Sequence, residues 1–192
     1  MSVHGRLLDV FGRRVEADEL IKIVSEGLTP ATEQKYECND ERFRGAIFLL
    51  ASAKDKRVLG PLLEMSNSSC PHSCSAVVSS MARLGDRRAL PRMLEILRSP
   101  GECSYAVVLA IAKIGDETAI KDLIDSIPPG GANDAEARFK AIEEITGLSL
   151  DPIRNKWGSL FYDNLPQFHQ AMHEWWAANK HRAKIKTTAS AR

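Results

Sequence analysis

The segment Ala76–Leu97, AVVSSMARLGDRRALPRMLEIL, recurs as Ala106–Ile127, AVVLAIAKIGDETAIKDLIDSI, at an offset of 30 residues without a gap. Seven positions are identical, and Met81, Leu84, Leu90, Met93, Leu94 and Leu97 are replaced only by Ile or Leu. A period of this length describes one supersecondary unit, too small to hide its own apolar face and therefore obliged to stack on its neighbours. An earlier copy, Arg42–Met65, aligns when Asp55 is set on Asp86 and Asp116, which places Leu59 and Leu63 on apolar positions of the second half. A degraded fourth copy begins at Ala135–Gly147, AEARFKAIEEITG.

Within a unit, Ala76, Val77, Ser80, Met81 and Leu84 share one face of a helix, here helix A. Gly85 and Gly115 stand where that helix should end in a left-handed residue, and Asp86 and Asp116 are placed to cap the turn that follows. Helix B then buries Leu90, Met93, Leu94 and Leu97, with Pro91 acceptable only in its opening turn. In the first copy Lys54 occupies the glycine position, which predicts a looser corner there.

The signature Ala-x-[Leu/Ile]-Gly-Asp-x-x-Ala-[Leu/Ile], present as ARLGDRRAL and AKIGDETAI, resembles the short HEAT repeat of about 30 residues first recognised in phycobilisome lyases. The resemblance covers Arg42–Ile127 and extends to Gly147. It implies an all-α fold, a right-handed α-α superhelix or solenoid of three to four helical hairpins in a single domain over residues 1–182. Residues 1–38 are expected to form two amphipathic capping helices, from GRLLDVFGRRV and EADELIKIVSEG, and residues 39–147 the repeats. Residues 148–182 then form a closing cap in which Trp175 and Trp176 act as a hydrophobic lid, and 183–192 a flexible basic tail.

Lys and Arg total 26 against 25 Asp and Glu, so a net charge of +1 supplies no global field to draw in nucleic acid or an anionic membrane. Apolar runs such as Ala46–Ala53 are far shorter than a membrane span, and the N-terminus lacks a signal-type apolar core; a cytoplasmic location is expected. Four cysteines are too sparse for a disulfide scaffold and are expected to persist as thiols. In repeat register, Cys38, Cys70, Cys74 and Cys103 all fall where a B helix hands over to the next A helix, and His72 lies among them. A tetrahedral metal site from Cys70, His72, Cys74 and Cys103 is one reading, but structural zinc usually shows two Cys-x2-4-Cys pairs, and here no second compact pair completes the one formed by Cys70 and Cys74. Thiol reactivity at Cys74 and Cys103, near the positive ends of A helices, is the better reading.

His169 and His173 share a helical face, yet no glutamate follows the first as in a catalytic HExxH helix. No phosphate-binding glycine loop or nucleophile elbow occurs, so no catalytic residue, metal or cofactor is expected and the chain is read as a non-enzyme. What remains is surface. In this fold the B helices line the concave side, and their positions outside the core, Arg57, Glu64, Arg88, Arg92, Glu95, Lys121, Asp122 and Asp125, form a strip of mixed charge. Such a strip suits another protein better than a uniformly anionic duplex. The expected function is non-catalytic protein binding by a monomer acting as adaptor, assembly factor or toxin neutraliser. A bilin-lyase-like or other cofactor-linked role is one alternative, implied by the resemblance alone. Nucleic-acid binding through Arg83, Arg87, Arg88 and Arg92 is the other.

Overall fold

A computed structural model describes residues 6–8, 14–28, 41–66, 71–99, 103–128, 132–158 and 163–185. These residues are overwhelmingly helical, with one short antiparallel ladder at the N-terminal end. The chain divides into two compact units, Met1–Arg92 and Met93–Arg192.

The first unit opens with strands β1 (Arg6–Leu8) and β2 (Arg14–Glu16), paired Arg6 to Glu16, Leu7 to Val15 and Leu8 to Arg14. This corrects the expectation of a helix over GRLLDVFGRRV. Two glycines in so short a stretch each cost a helix about 1 kcal/mol, whereas pairing lets the two three-residue strands satisfy one another's backbone groups. The second capping helix is present as α1 (Ala17–Leu28), which buries Ala17, Leu20 and Val24 along one face and packs on the first hairpin, α2 (Glu41–Ser52) and α3 (Leu59–Met65). The A helix of the next repeat, α4 (Pro71–Leu84), lies against both α2 and α3.

The boundary between the units falls within the next B helix, α5 (Leu90–Arg98). The second unit holds the third hairpin, α6 (Ser104–Ile114) and α7 (Ile120–Asp125), then α8 (Ala132–Thr146), which packs on both. Burial follows the repeat pattern: Val77, Met81, Leu84, Leu90, Met93 and Leu97 are buried, as are Val107, Ile111, Ile114, Ile120, Leu123, Ile124 and Ile127. Leu94 is half-buried. Each large apolar side chain removed from water contributes about 2 kcal/mol, so these positions dominate the stability of both units.

The corners reproduce the expected chemistry closely. Gly85 and Gly115 both have φ of 71° and Gly147 has 68°, the left-handed geometry that ends an A helix. Asp55, Asp86 and Asp116 each accept a hydrogen bond from the backbone amide two residues on, capping a single 3-10 turn that leads into the B helix. In the degraded fourth unit Ser149 does the same, its Oγ accepting from the amide of Asp151 at the start of α9 (Asp151–Trp157). Lys54 does not loosen its corner: it adopts φ 61°, and its Nζ donates to the carbonyl of Arg83.

The closing helix α10 (Leu165–Asn179) packs on α7. Its anchors are Phe168 and Met172, both fully buried, with Phe168 edge-on to Trp157 at 5.4 Å and tilted against Phe139 at 5.9 Å. Trp175 and Trp176, expected as a hydrophobic lid, are half-buried, and the deeper side chains of this helix are Phe168 and Met172. A turn over Lys180–Arg182 follows, and the Lys184 amide donates to Thr146 O at 2.8 Å. The expected flexible tail is therefore tied down at its start; residues 186–192 lie outside the described residues.

Candidate interaction surface

Each corner carboxylate binds the backbone and a side chain at once. Asp86 Oδ1 accepts from the Arg88 amide at 3.0 Å, and the Arg88 guanidinium folds back to the same carboxylate through Nε at 3.0 Å and Nη2 at 2.7 Å. Asp55 and Arg57 repeat the arrangement, with Nη2 at 2.6 Å from Oδ2, and Arg57 Nη1 also reaches Asp18 on α1. At the third corner Thr118 replaces the arginine, its amide and hydroxyl reaching Asp116 Oδ1 at 3.0 and 2.7 Å. The arginine hydrogen bonds outweigh the cost of burial and hold the Asp55 and Asp86 carboxyls below the ordinary range; the same bonds raise Arg57 and Arg88.

Arg92, Lys121, Asp122 and Asp125 are engaged as well. Arg92 donates from Nε to Ser66 Oγ at 2.9 Å and from Nη2 to Ser66 O at 2.7 Å, tying α5 to the end of α3. In the second unit Lys121 pairs with Asp125 one turn along α7, Asp125 also meets His173 Nε2 at 2.6 Å, and Asp122 accepts from Arg98 Nε at 2.7 Å. Burial acts to raise the Asp125 carboxyl, but Lys121 and His173 together bring it below its ordinary value. Glu64 and Glu95 are exposed. Within each unit, Arg57, Arg88, Arg92, Lys121, Asp122 and Asp125 are thus also cross-links of the fold. Their outer faces stay accessible, with the Arg88 and Lys121 side chains 66% and 75% exposed.

The cysteine reading is overturned. Cys74, in the first turn of α4, and Cys103, the N-cap of α6, are both disulfide-bonded. A sulfur in a disulfide is neither a thiolate nucleophile nor a metal ligand, so thiol reactivity falls at both positions and the Cys70, His72, Cys74, Cys103 cluster loses two of its four donors. Cys38 and Cys70 and the side chain of His72 lie outside the described residues. Among the described residues no group of three or more His, Cys, Asp or Glu is arranged to hold a metal ion. His169 and His173 diverge: His169 Nε2 donates to Ile127 O at 3.2 Å, and burial lowers its pKa despite that carbonyl, while His173 serves Asp125.

Two polar clusters escaped sequence reasoning. Arg138, 3% exposed, is held by neutral acceptors, Ser126 Oγ at 3.0 Å, Asp134 O at 2.8 Å and Ser104 Oγ at 2.7 Å, and burial lowers its pKa. Glu143 accepts from the Leu150 amide and from both Nη atoms of Arg154, joining α8 to α9. An arginine inside an A helix and a Glu and Arg eleven residues apart carry no periodic signal that marks them as buried partners. Compared with known protein families and with curated proteins, the chain matches none.

Proposed function

We propose that the chain is a non-catalytic, HEAT-like protein-binding module whose B helices present the docking residues: Arg57, Glu64, Arg88 and Arg92 in the first unit, Glu95, Lys121, Asp122 and Asp125 in the second. The observation that carries this reading is the set of charged side chains preset by intramolecular hydrogen bonds on the B helices and on the 3-10 turns that lead into them, with apolar side chains of the same helices buried. Side chains already fixed in place lose little rotamer entropy on docking, so modest charge complementarity suffices for useful affinity. The disulfide-bonded state of Cys74 and Cys103 goes with an oxidising compartment better than with the cytoplasm, where such bonds are rare.

Affinity capture from the native cell tests this reading. Wild-type chain is compared with a Glu64→Arg/Lys121→Glu variant, chosen because neither residue holds a corner aspartate. A partner retained by wild type and lost by the variant supports the strip; identical captures from both argue against it.

A further inference from the structure

Two corners of the first unit meet in one basic edge, and we propose that this edge docks a short acidic segment of a partner protein. The inference rests on the protein-binding reading; the edge shares Arg57 and Arg88 with the B-helix strip but centres on Lys54, Lys56 and Arg83, which lie outside it. The corner between α2 and α3 carries Lys54, Lys56 and Arg57, and that between α4 and α5 carries Arg83, Arg87 and Arg88, all exposed. The corners touch: Lys54 Nζ donates to Arg83 O, and a Cβ built on Gly85 would lie 3.7 Å from that same Nζ. Lys56 sits near enough to Asp86 to help hold its charge.

Asp18, Asp55 and Asp86 are carboxylates bonded into this edge. The side chains of Asp55 and Asp86, 6% and 9% exposed, are occupied by the arginine forks and the turn amides, and so offset Arg57 and Arg88. The charge of Lys54, Lys56 and Arg83 exceeds what these three carboxylates neutralise. The equivalent corner of the second unit, with Lys113 against Asp116 and Glu117, has no such surplus, so the basic edge is a property of the first unit and not of the repeat.

Arg83 gives the edge a specific donor geometry. Its guanidinium carbon lies 4.3 Å from the centroid of the Phe48 ring, and Phe48 is 47% exposed. Stacking fixes the plane of the guanidinium and leaves its N–H edge for a carboxylate, while the remaining ring surface can take an aliphatic side chain. Span decides the occupant. Neighbouring helices pack about 10 Å apart, the reach of about three extended residues at ~3.3 Å each, which suits a short peptide. A duplex would need a longer run of cations, and Asp18, whose side chain is 84% exposed, stands beside Arg57 in its way.

The test is fluorescence anisotropy with a labelled hexaglutamate peptide and the full chain at low salt. Wild type should bind saturably, Lys56→Glu/Arg83→Glu should weaken binding by about tenfold or more, and Glu64→Arg/Lys121→Glu should leave it unchanged. Circular dichroism confirms folding of each variant, and the milder Lys56→Gln/Arg83→Gln pair, expected to lose less, replaces the reversal if that fails to fold. Equal affinity of wild type and both edge variants overturns the proposal. So does a short DNA duplex that binds more tightly than the peptide and is weakened by the same substitutions. A partner lost from capture by the strip variant, together with no peptide binding by wild type, would refute the edge alone and leave the protein-binding reading standing.

Discussion

At Lys54 a residue with a full side chain holds φ 61°, a conformation that costs an L-residue about 1 kcal/mol relative to glycine. Lys54→Gly is therefore expected to raise stability by up to ~1 kcal/mol, less the contribution of the Nζ bond to Arg83 O, and Gly115→Ala to lower it by ~1 kcal/mol. Urea midpoints of the two variants should move in opposite directions; a shift of both the same way contradicts the corner geometry. The corner carboxylates also set an acid limit. Asp55, Asp86 and Glu143 have pKa values lowered in the folded state, by Arg57, Arg88 and Arg154 respectively. A depressed carboxyl contributes stability that is fully present above its unfolded pKa, about 4, and is lost as pH falls through the folded value. Urea stability should thus fall gently from about pH 6.5, where His169 is harder to protonate in the folded than in the unfolded chain, and more steeply below 4, with Asp86→Asn keeping the cap, losing the charge opposite Arg88 at a cost of about 1 kcal/mol or less at pH 7, and flattening the acid slope.

The elements show what was legible in the chain and what was not. The A helix, left-handed stop, aspartate cap and B helix were readable because each rests on local chemistry repeated in register, so Gly85 with Asp86 and Gly115 with Asp116 identify one another. The N-terminal ladder was not, because Leu7, Leu8, Val10 and Phe11 fit a helical face while the pairing partner of Leu7 is eight residues away at Val15. The disulfides at Cys74 and Cys103 were hidden for the same kind of reason: bonding depends on spatial approach, which sequence separation does not reveal. Native protein should therefore show no alkylation at these two cysteines until reductant is added, and reduction should lower the melting temperature by about 5 °C or more. Rapid alkylation of either cysteine in the unreduced chain would contradict the structure. The tryptophan motif did not mark the deepest anchors of α10, because burial depends on which face of that helix meets α7. Phe168→Ala should cost about 3–5 kcal/mol and Trp175→Ala distinctly less, a contrast that thermal or urea melts resolve.

For the whole molecule, the repeat explains how a chain with no net field and no recognisable catalytic motif could still act specifically. Its charge is arranged locally, in arginine forks on corner aspartates and ion pairs along the B helices, over units whose apolar faces are buried. Glu64, Arg92, Glu95, Lys121, Asp122 and Asp125 were readable as B-helix positions from the repeat register, whereas Arg57 and Arg88 lie on the 3-10 turns just before those helices. Their intramolecular partners were not readable, because bonds such as Arg92 to Ser66 and His173 to Asp125 link residues far apart in the chain. Docking through the strip is most directly tested by peptide-resolved hydrogen exchange of the chain with and without its captured partner. The account predicts that the partner slows exchange in peptides covering α3 and α7 while those covering α2 and α6 are unchanged. Protection confined to α2 and α6, with α3 and α7 exchanging as in the free chain, would contradict it.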